Sequence, residues 1–166
     1  MPLQGNSPET YMGCLFTYDH SVTISMQAFI ANLLHETGMT DANTVRNPLA
    51  DKFTLSRQDE PESDTDRQAV VTHVNPHFNT DCSTYTEVVV FYAYLISSFG
   101  WISGKVSPST LVHHSILGRA LQNPSIKAFT GAKRFLRWLA GRPNLSRRFE
   151  RQREWDWRNG ELPEWY

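Results

Sequence analysis

The sequence has few of the features that mark secreted, disulfide-stabilised or membrane proteins. Only two of its 166 residues are cysteines, Cys14 and Cys82, too few for a disulfide scaffold, so we expect free thiols. The most apolar run, residues 88–102, is interrupted by tyrosine, serine and glycine and falls short of the roughly 18 residues of a membrane span. Residues 1–8 lack the basic and apolar regions of a signal peptide. These absences predict an intracellular protein, cytoplasmic or nuclear, with no membrane span.

Recognisable catalytic and metal-binding motifs are also lacking. No serine or cysteine stands in a nucleophile motif such as G-x-S-x-G. His73, His77 and Cys82 are of types that bind zinc, but their spacing fits no standard site and a fourth ligand is undefined. His113 and His114 are neighbours on a predicted helix and cannot easily face one ion. We therefore expect no metal, no cofactor and no catalytic residue on this chain.

The residues that are abundant indicate a folded chain with a divided charge. Hydrophobic residues make up 40% of the sequence and aromatic residues 12%, enough to form a core. Residues 1–100 contain four basic and twelve acidic side chains, whereas residues 101–166 contain twelve basic and five acidic ones. A basic half can follow the phosphates of a nucleic acid. It can equally complement the acidic half within the molecule, and the sequence leaves both readings open.

The first forty residues predict a β-hairpin followed by a helix. Two runs rich in aromatic and β-branched residues, 10–18 and 22–25, flank a short polar turn. Ser25 has the character of a helix N-cap, and apolar residues recur at i, i+3, i+4, i+7 and i+8 from Met26 to Leu34. Gly38 supplies the stop. We assign residues 1–40 to this hairpin and helix.

The next segment, residues 41–84, is polar and acidic. Three prolines interrupt it, and five acidic side chains cluster between residues 59 and 66. This composition predicts an extended or mobile loop, with a short helix around residues 65–72.

Residues 85–142 predict a helical region. The apolar stretch 85–99 favours a strand by its β-branched content and a helix by its length. Residues 100–107 predict a loop, after which Ser107 and Pro108 form an N-cap and N1 pair that opens a helix ending at residues 123–124. The side chains of that helix expected to face inward are Leu111, Ile116, Ala120 and Leu121. Ser125 caps a last helix that runs to Leu139.

Residues 143–166 form a basic, tryptophan-rich tail. Arginines alternate there with Trp155, Trp157 and Trp165. From residue 144 onward we expect a helix followed by a docking tail.

Read in order, several segments resemble copia-type LTR retrotransposon reverse transcriptases. The first, Tyr11-Met12-Gly13, is similar to the family's F-L-G-I, and residues 24–39 follow its I-S-Q-x-x-Y-I-x-x-L-L-x-x-F-G-M pattern. Residues 45–49 read V-x-x-P-L. Residues 85–95, 116–124 and 132–141 are similar to Y-R-E-A-V-G-S-L-L-Y-L, V-L-A-R-F-L-x-N-P and A-K-R-V-L-R-Y-L-K-G. The chain departs from the family at Ser107 and Ser109, which flank Pro108, and at the His113-His114, Ala128-Phe129 and Val90 positions.

The resemblance covers the end of the palm, the thumb and the connection of the polyprotein. It implies a mainly α fold with a small N-terminal β-hairpin, an α+β arrangement with thumb-like and connection-like helices, and it decides residues 85–99 in favour of a helix. The family's catalytic Y-x-D-D hairpin and upstream aspartate lie before the first matched residue. The parent family is an RNA-directed DNA polymerase, but this chain lacks the aspartates that hold its magnesium ions.

Candidate binding residues follow from this resemblance and from the basic half. Tyr11, Met12 and Gly13 resemble the turn that holds the primer terminus, although an ordinary hairpin explains them equally. Lys127, Arg134 and Arg137 fall on one stripe of the last helix, as phosphate contacts require, or they form a solvated polar face. The basic strip continues through Arg147, Arg148 and Arg151. Trp155, Trp157 and Trp165 are types that stack on bases or anchor a protein partner.

Two functions are therefore expected. The first is a co-opted, non-catalytic structural or interaction subunit of a larger assembly, with other proteins as partners. The second is a nucleic-acid-binding fragment that grips a DNA or RNA duplex. We favour the first, because a thumb and connection without a palm have little to position for chemistry.

Overall fold

The computed structural model describes residues 9–18 and 21–150. In this part of the chain a four-stranded antiparallel sheet lies beside five α-helices, so the predicted α+β class is confirmed at that level. The strands are β1 (Glu9–Tyr11), β2 (Cys14–Tyr18), β3 (Ser21–Ser25) and β4 (Ser146–Glu150). The helices are α1 (Gln27–Glu36), α2 (Asp64–Val74), α3 (Tyr85–Lys105), α4 (Leu111–Gly118) and α5 (Ile126–Ala140). Short 3-10 helices lie at Arg57–Asp59, Asn75–His77 and Pro108–Thr110.

The sheet has the order β1-β2-β3-β4, and every neighbouring pair is antiparallel. The predicted hairpin between the two N-terminal runs is confirmed as the β2–β3 pair, in which Tyr18 lies opposite Val22. The helix predicted from residue 144 onward is wrong over β4, where Phe149 lies opposite Val22. Pairing with a strand more than a hundred residues earlier overrides local preference there.

The first predicted run, residues 10–18, is two strands. It reverses at Met12 and Gly13, whose φ angles are 48° and 77°. Positive φ at both central residues is typical of the two-residue hairpin turn whose twist matches the flanking strands. Tyr11 therefore lies opposite Cys14.

Helix α1 confirms the predicted N-terminal helix. Its N-cap is Met26, one residue later than predicted, although the Ser25 hydroxyl still accepts a hydrogen bond from the Gln27 N–H at 3.4 Å. At the other end, Gly38 takes a φ of 68°. The Gly38 and Met39 amides donate to the carbonyls of residues 35 and 34, which is a Schellman motif.

The segment of residues 41–84, predicted to be extended or mobile, packs against the helices instead. The short helix expected within it is present as α2, which is longer than predicted. Widely spaced apolar side chains of the segment are buried: Leu49, Leu55, Val70, Val71, Val74 and Phe78. Their burial compensates for the entropy lost in ordering a polar chain.

Helix α3 confirms the helix chosen for residues 85–99 and extends beyond it. A capping box begins the helix, since the Thr84 hydroxyl accepts from the Glu87 amide and the Glu87 carboxylate accepts from the Thr84 amide. The loop predicted for residues 100–107 is wrong, because the helix continues to Lys105. A Cβ at Gly100 would lie 2.8 Å from Nε2 of His114. The close approach of α4 therefore explains why glycine is present at this position, and Gly100 does not end the helix.

Helix α4 is shorter than predicted, and its region turns only part of the predicted face to the core. Ala120 is buried and Ile116 packs against the core, as predicted, and Leu117 is buried as well. Leu111 and Leu121 are exposed, so the inward orientation predicted for these two is wrong. The chain begins this region as a 3-10 helix, Pro108–Thr110. A 3-10 helix has about three residues per turn, which shifts the phase of the side chains that follow.

Helix α5 supplies much of the core and confirms the predicted last helix. The Ser125 hydroxyl accepts a hydrogen bond from the Ala128 amide at 3.2 Å. The buried residues of α5 are Ala128, Phe129, Gly131, Ala132, Phe135, Leu136, Trp138 and Leu139. A Cβ at Gly131 would lie 2.7 Å from Cζ of Phe53 and 2.8 Å from Cδ2 of Leu117. The absence of a side chain at 131 lets α4 and the polar segment approach α5.

Helix α3 is long and apolar enough to cross a membrane by length and composition alone, the one such helix in the described part of the chain. In this fold its buried side chains, among them Tyr92, Phe99 and Ile102, belong to the same core as those of α5. The absence of a membrane span stays a prediction.

Candidate functional site

The turn between β1 and β2 brings Tyr11, Met12 and Gly13 together at one end of the sheet. Tyr11 and Met12 are 68% and 63% exposed. A Cβ at Gly13 would lie 3.5 Å from the Phe29 ring, an ordinary contact, so the positive φ rather than space favours glycine there. The three residues form one exposed turn, and a contact with nucleic acid stays a prediction.

An exposed apolar row crosses the sheet at its other end. The register places Tyr18, Val22 and Phe149 side by side on β2, β3 and β4. Alternate residues of a strand face the same side, so this row shares a face with Cys14 and Phe16. Cys14 is buried and Phe16 is packed against the core, whereas Tyr18 and Phe149 are exposed by about two fifths of their surface. We refer to Tyr18, Val22 and Phe149 as the sheet row.

The two described arginines of the predicted basic tail lie on β4, not on a helix. Arg147 and Arg148 are both exposed and face opposite sides of the sheet. The guanidinium of Arg147 stacks over the Phe149 ring, 4.7 Å from its centroid. An arginine therefore borders the sheet row.

The basic stripe predicted on α5 is largely engaged within the molecule. Lys127 forms a salt bridge to Asp59, with Nζ 2.9 Å from Oδ1. Arg137 donates from Nε to the carbonyl of Asn43 at 2.6 Å. Nε of Arg134 is buried and has no hydrogen-bond partner among the described residues. The stripe therefore meets the residue 41–84 segment, and its binding of nucleic acid stays a prediction.

Acidic residues of the 59–66 cluster also have local roles. Asp59 accepts from the Ser56 amide at 2.8 Å, and Asp66 accepts from the Ser63 amide at 3.0 Å. The hydrogen bond from Lys127 lowers the pKa of Asp59, and the hydrogen bonds from Ser63 lower the pKa of Asp66. Both carboxylates stabilise helix starts, and Asp59 also holds the segment on α5 through Lys127.

The histidines considered as metal ligands form a different cluster. The His73 and His77 rings lie 4.4 Å apart, and Nδ1 of His77 is 3.4 Å from Nζ of Lys133. The Cys82 sulfur instead lies 3.3 Å from the Thr80 hydroxyl. The thiols of Cys82 and Cys14 are both buried and form no disulfide. Burial raises the pKa of the Cys14 thiol. Among the described residues no group of three or more metal-binding side chains comes together.

The remaining predicted residues, Arg151, Trp155, Trp157 and Trp165, lie outside the described residues. Lys133, which is not among the predicted site residues, also belongs to the histidine cluster. Lys133 lies one helical turn before Arg137 and beside His77, a proximity that no local pattern indicates.

Comparisons with known proteins give no match: no family model, no curated protein and no solved structure is significantly similar to this chain.

Proposed function

We propose that this chain is a non-catalytic interaction subunit, descended from the palm end, thumb and connection of a copia-type reverse transcriptase and held in a larger assembly through its sheet. The observation that carries the proposal is the sheet row, Tyr18, Val22 and Phe149. The row lies on the face of the sheet that packs against the core, but past the edge of the core, where Tyr18 and Phe149 are exposed. Exposed apolar surface gathered in one place is typical of a protein interface.

Contacts between segments that resemble the family support the proposed ancestry. The Tyr85 hydroxyl donates to Oδ1 of Asn123 at 2.7 Å and is 3.1 Å from the carbonyl oxygen of Pro124. All three residues belong to matched motifs that are almost forty residues apart in sequence. Glu87, also matched, caps the start of α3. Matched residues thus contact one another, as expected if thumb-like and connection-like helices retain their inherited packing.

The chemistry around the sheet row indicates the kind of partner. Aromatic side chains and arginine contribute most to the binding energy of protein interfaces. Phe149 is flanked by Arg147 and followed by further arginines in the sequence. A partner that places apolar side chains on the row and carboxylates at its edge would complement both.

The Tyr18→Thr/Phe149→Thr double variant tests this interface. Purified under native conditions, the wild-type chain is expected in a stoichiometric complex with one protein partner, measured by native mass spectrometry. The double variant is expected to bind that isolated partner at least about 30-fold more weakly, the equivalent of losing one interface hot spot. Both positions are partly exposed and threonine suits strands, so the free energy of unfolding should change by no more than about 1 kcal/mol per pair.

A matched control removes as much exposed apolar surface elsewhere. Leu111 and Val112 on α4 are 44% and 58% exposed. The Leu111→Gln/Val112→Gln variant is expected to bind the partner like the wild type. A wild-type chain that purifies as a monomer, or a sheet-row variant that binds with unchanged affinity, would contradict the proposal.

Binding of a nucleic-acid duplex is the second candidate function. It is favoured by one observation, the presence of exposed Arg147 and Arg148 on the same sheet as the Tyr11-Met12-Gly13 turn. Duplex affinity should then fall steeply with salt, by about 0.9 logarithmic units of affinity per logarithmic unit of salt for each phosphate contacted. Arg147 and Arg148 face opposite sides of the sheet, so one duplex contacts one of them, and the Arg147→Gln/Arg148→Gln variant should reduce that slope by about one contact. Absence of binding to DNA, RNA or hybrid duplex at about 50 mM salt excludes this candidate.

A further inference from the structure

A second surface, separate from the sheet, combines three basic side chains with a cavity. The cavity has a volume of about 480 Å³ and lies between the end of α1, the 3-10 helix Asn75–His77 and α5. Lys133, Arg137 and His77 line it together with Asp41. His73 packs against His77, and their ring centroids are 4.4 Å apart.

We propose that His77, Lys133 and Arg137, with His73 packed against His77, form a binding site for a dianionic phosphate group, as free phosphate or as the monoester of a small molecule. The geometry carries the assignment. Lys133 and Arg137 are four residues apart on α5 and so lie on one side of the helix. Lys133 reaches to within 3.4 Å of Nδ1 of His77.

None of these basic groups forms an ion pair among the described residues. No carboxylate there lies within 4.0 Å of Lys133, Arg137, His73 or His77, and Asp41, on the cavity wall, is beyond that distance. Lys127 on the same helix is, by contrast, paired with Asp59 at 2.9 Å. Lys133 and Arg137 are like charges one helical turn apart on α5, and an anion bound between them would relieve their repulsion.

The state of His73 is consistent with such a site. Burial lowers its pKa, and the neighbouring His77 and Lys133 lower it further. A bound dianion would oppose these effects, because its negative charge favours the protonated form of the His73 ring. Binding of the dianion and protonation of His73 should therefore favour each other, because linkage is reciprocal.

The donors match a tetrahedral oxyanion. Lys133 offers an ammonium group, and Arg137 uses only Nε in its contact with Asn43, which leaves its two terminal nitrogens without acceptors among the described residues. Guanidinium and ammonium groups bind phosphate oxygens through charge-assisted hydrogen bonds. Asp41, on the cavity wall, can accept a hydrogen bond from the single proton of hydrogen phosphate, whereas the dianion of a monoester has no proton to donate there.

The test uses the full chain and three probes: inorganic phosphate, methyl phosphate and dimethyl phosphate. Calorimetry in low-chloride buffer near pH 6.5 measures affinity, and NMR follows the ring signals of His73 and His77. We expect saturable binding of the first two probes, a rise in the pKa of His73 on binding, and at least about tenfold weaker binding of the singly charged dimethyl phosphate. Lys133→Gln and Arg137→Gln should each weaken phosphate binding by about tenfold or more.

Arg119→Gln and Lys105→Gln remove one positive charge each at positions outside this cavity and are the matched controls, with affinity expected to stay within about twofold of wild type. Circular dichroism establishes that each variant is folded. The proposal is overturned if the histidine signals do not respond saturably to phosphate, if Lys133→Gln and Arg137→Gln bind like the controls, or if dimethyl phosphate binds as tightly as phosphate.

Discussion

The Phe129→Ala variant is expected to lose about 3–5 kcal/mol of the free energy of unfolding. Phe129 is fully buried on α5. Its ring contacts three other aromatic rings, with centroid distances of 5.0 Å to Tyr92, 5.7 Å to Phe78 and 6.3 Å to Phe91. Truncation removes the apolar burial and leaves a cavity among elements that are far apart in sequence. Urea denaturation followed by circular dichroism measures the change.

The control for this variant lies on the same helix. Ile126 is 39% exposed, so the Ile126→Ala variant leaves no enclosed cavity and should cost less than about 1 kcal/mol. A loss below about 1.5 kcal/mol in Phe129→Ala would mean that this aromatic cluster is not packed as described.

The Tyr92→Phe variant is expected to be less stable than the wild type at neutral pH and more stable in strong alkali. Tyr92 is fully buried, and its hydroxyl donates to the Leu117 carbonyl at 2.9 Å. Losing this hydrogen bond should cost about 1 kcal/mol at pH 7. Burial also raises the pKa of the Tyr92 phenol far above its ordinary value of about 10.

The sign of the alkaline effect follows from that raised pKa. Below about pH 10 the phenol is neutral in both folded and unfolded states and contributes no pH dependence. Above that pH only the unfolded state ionises, so the wild type loses about 1.4 kcal/mol of stability per pH unit until the folded pKa is reached. Phenylalanine cannot ionise, and the two stability curves should therefore cross near about pH 11.

Other tyrosines do not disturb this comparison. Burial raises the pKa of Tyr85 and of Tyr94 to about 12 each, and both residues are present in wild type and variant alike. Tyr11→Phe, at a position 68% exposed, is the matched control and should leave the curve unchanged. Urea unfolding midpoints measured from pH 7 to 11.5 decide the matter. Parallel curves without a crossing would show that Tyr92 is not a buried donor.

Helices with local signals could be predicted from the sequence. The apolar spacing of α1, its Gly38 stop and the Ser125 cap of α5 each depend on residues within a few positions of one another. Local signals alone did not predict α3 as a helix, because its β-branched residues favour a strand. The resemblance to a family favoured the helix. Its Thr84–Glu87 capping box is a local signal that also indicates where the helix begins.

The remaining features depend on long-range contacts. β4 is a strand because it pairs with β3, which no property of its own five residues indicates. The α5 stripe is engaged by Asp59 and Asn43, 68 and 94 residues away. Leu111 is exposed against expectation because the Ser107-Pro108 pair does not indicate that a 3-10 turn precedes α4. The side chains of the candidate sites are brought together mainly by tertiary packing and not by short sequence motifs.

The order in which the sheet is completed has a consequence during synthesis. β1, β2 and β3 are made within the first 25 residues, but the strand that covers the outer edge of β3 is made last among the described elements. Closing so long a loop is slow. A nascent chain therefore presents the hydrogen-bonding edge of β3 to its surroundings until the arginine-containing strand is translated, and unpaired edges invite association. Truncation before residue 146 is thus predicted to aggregate through β3, even though all five helices would be present.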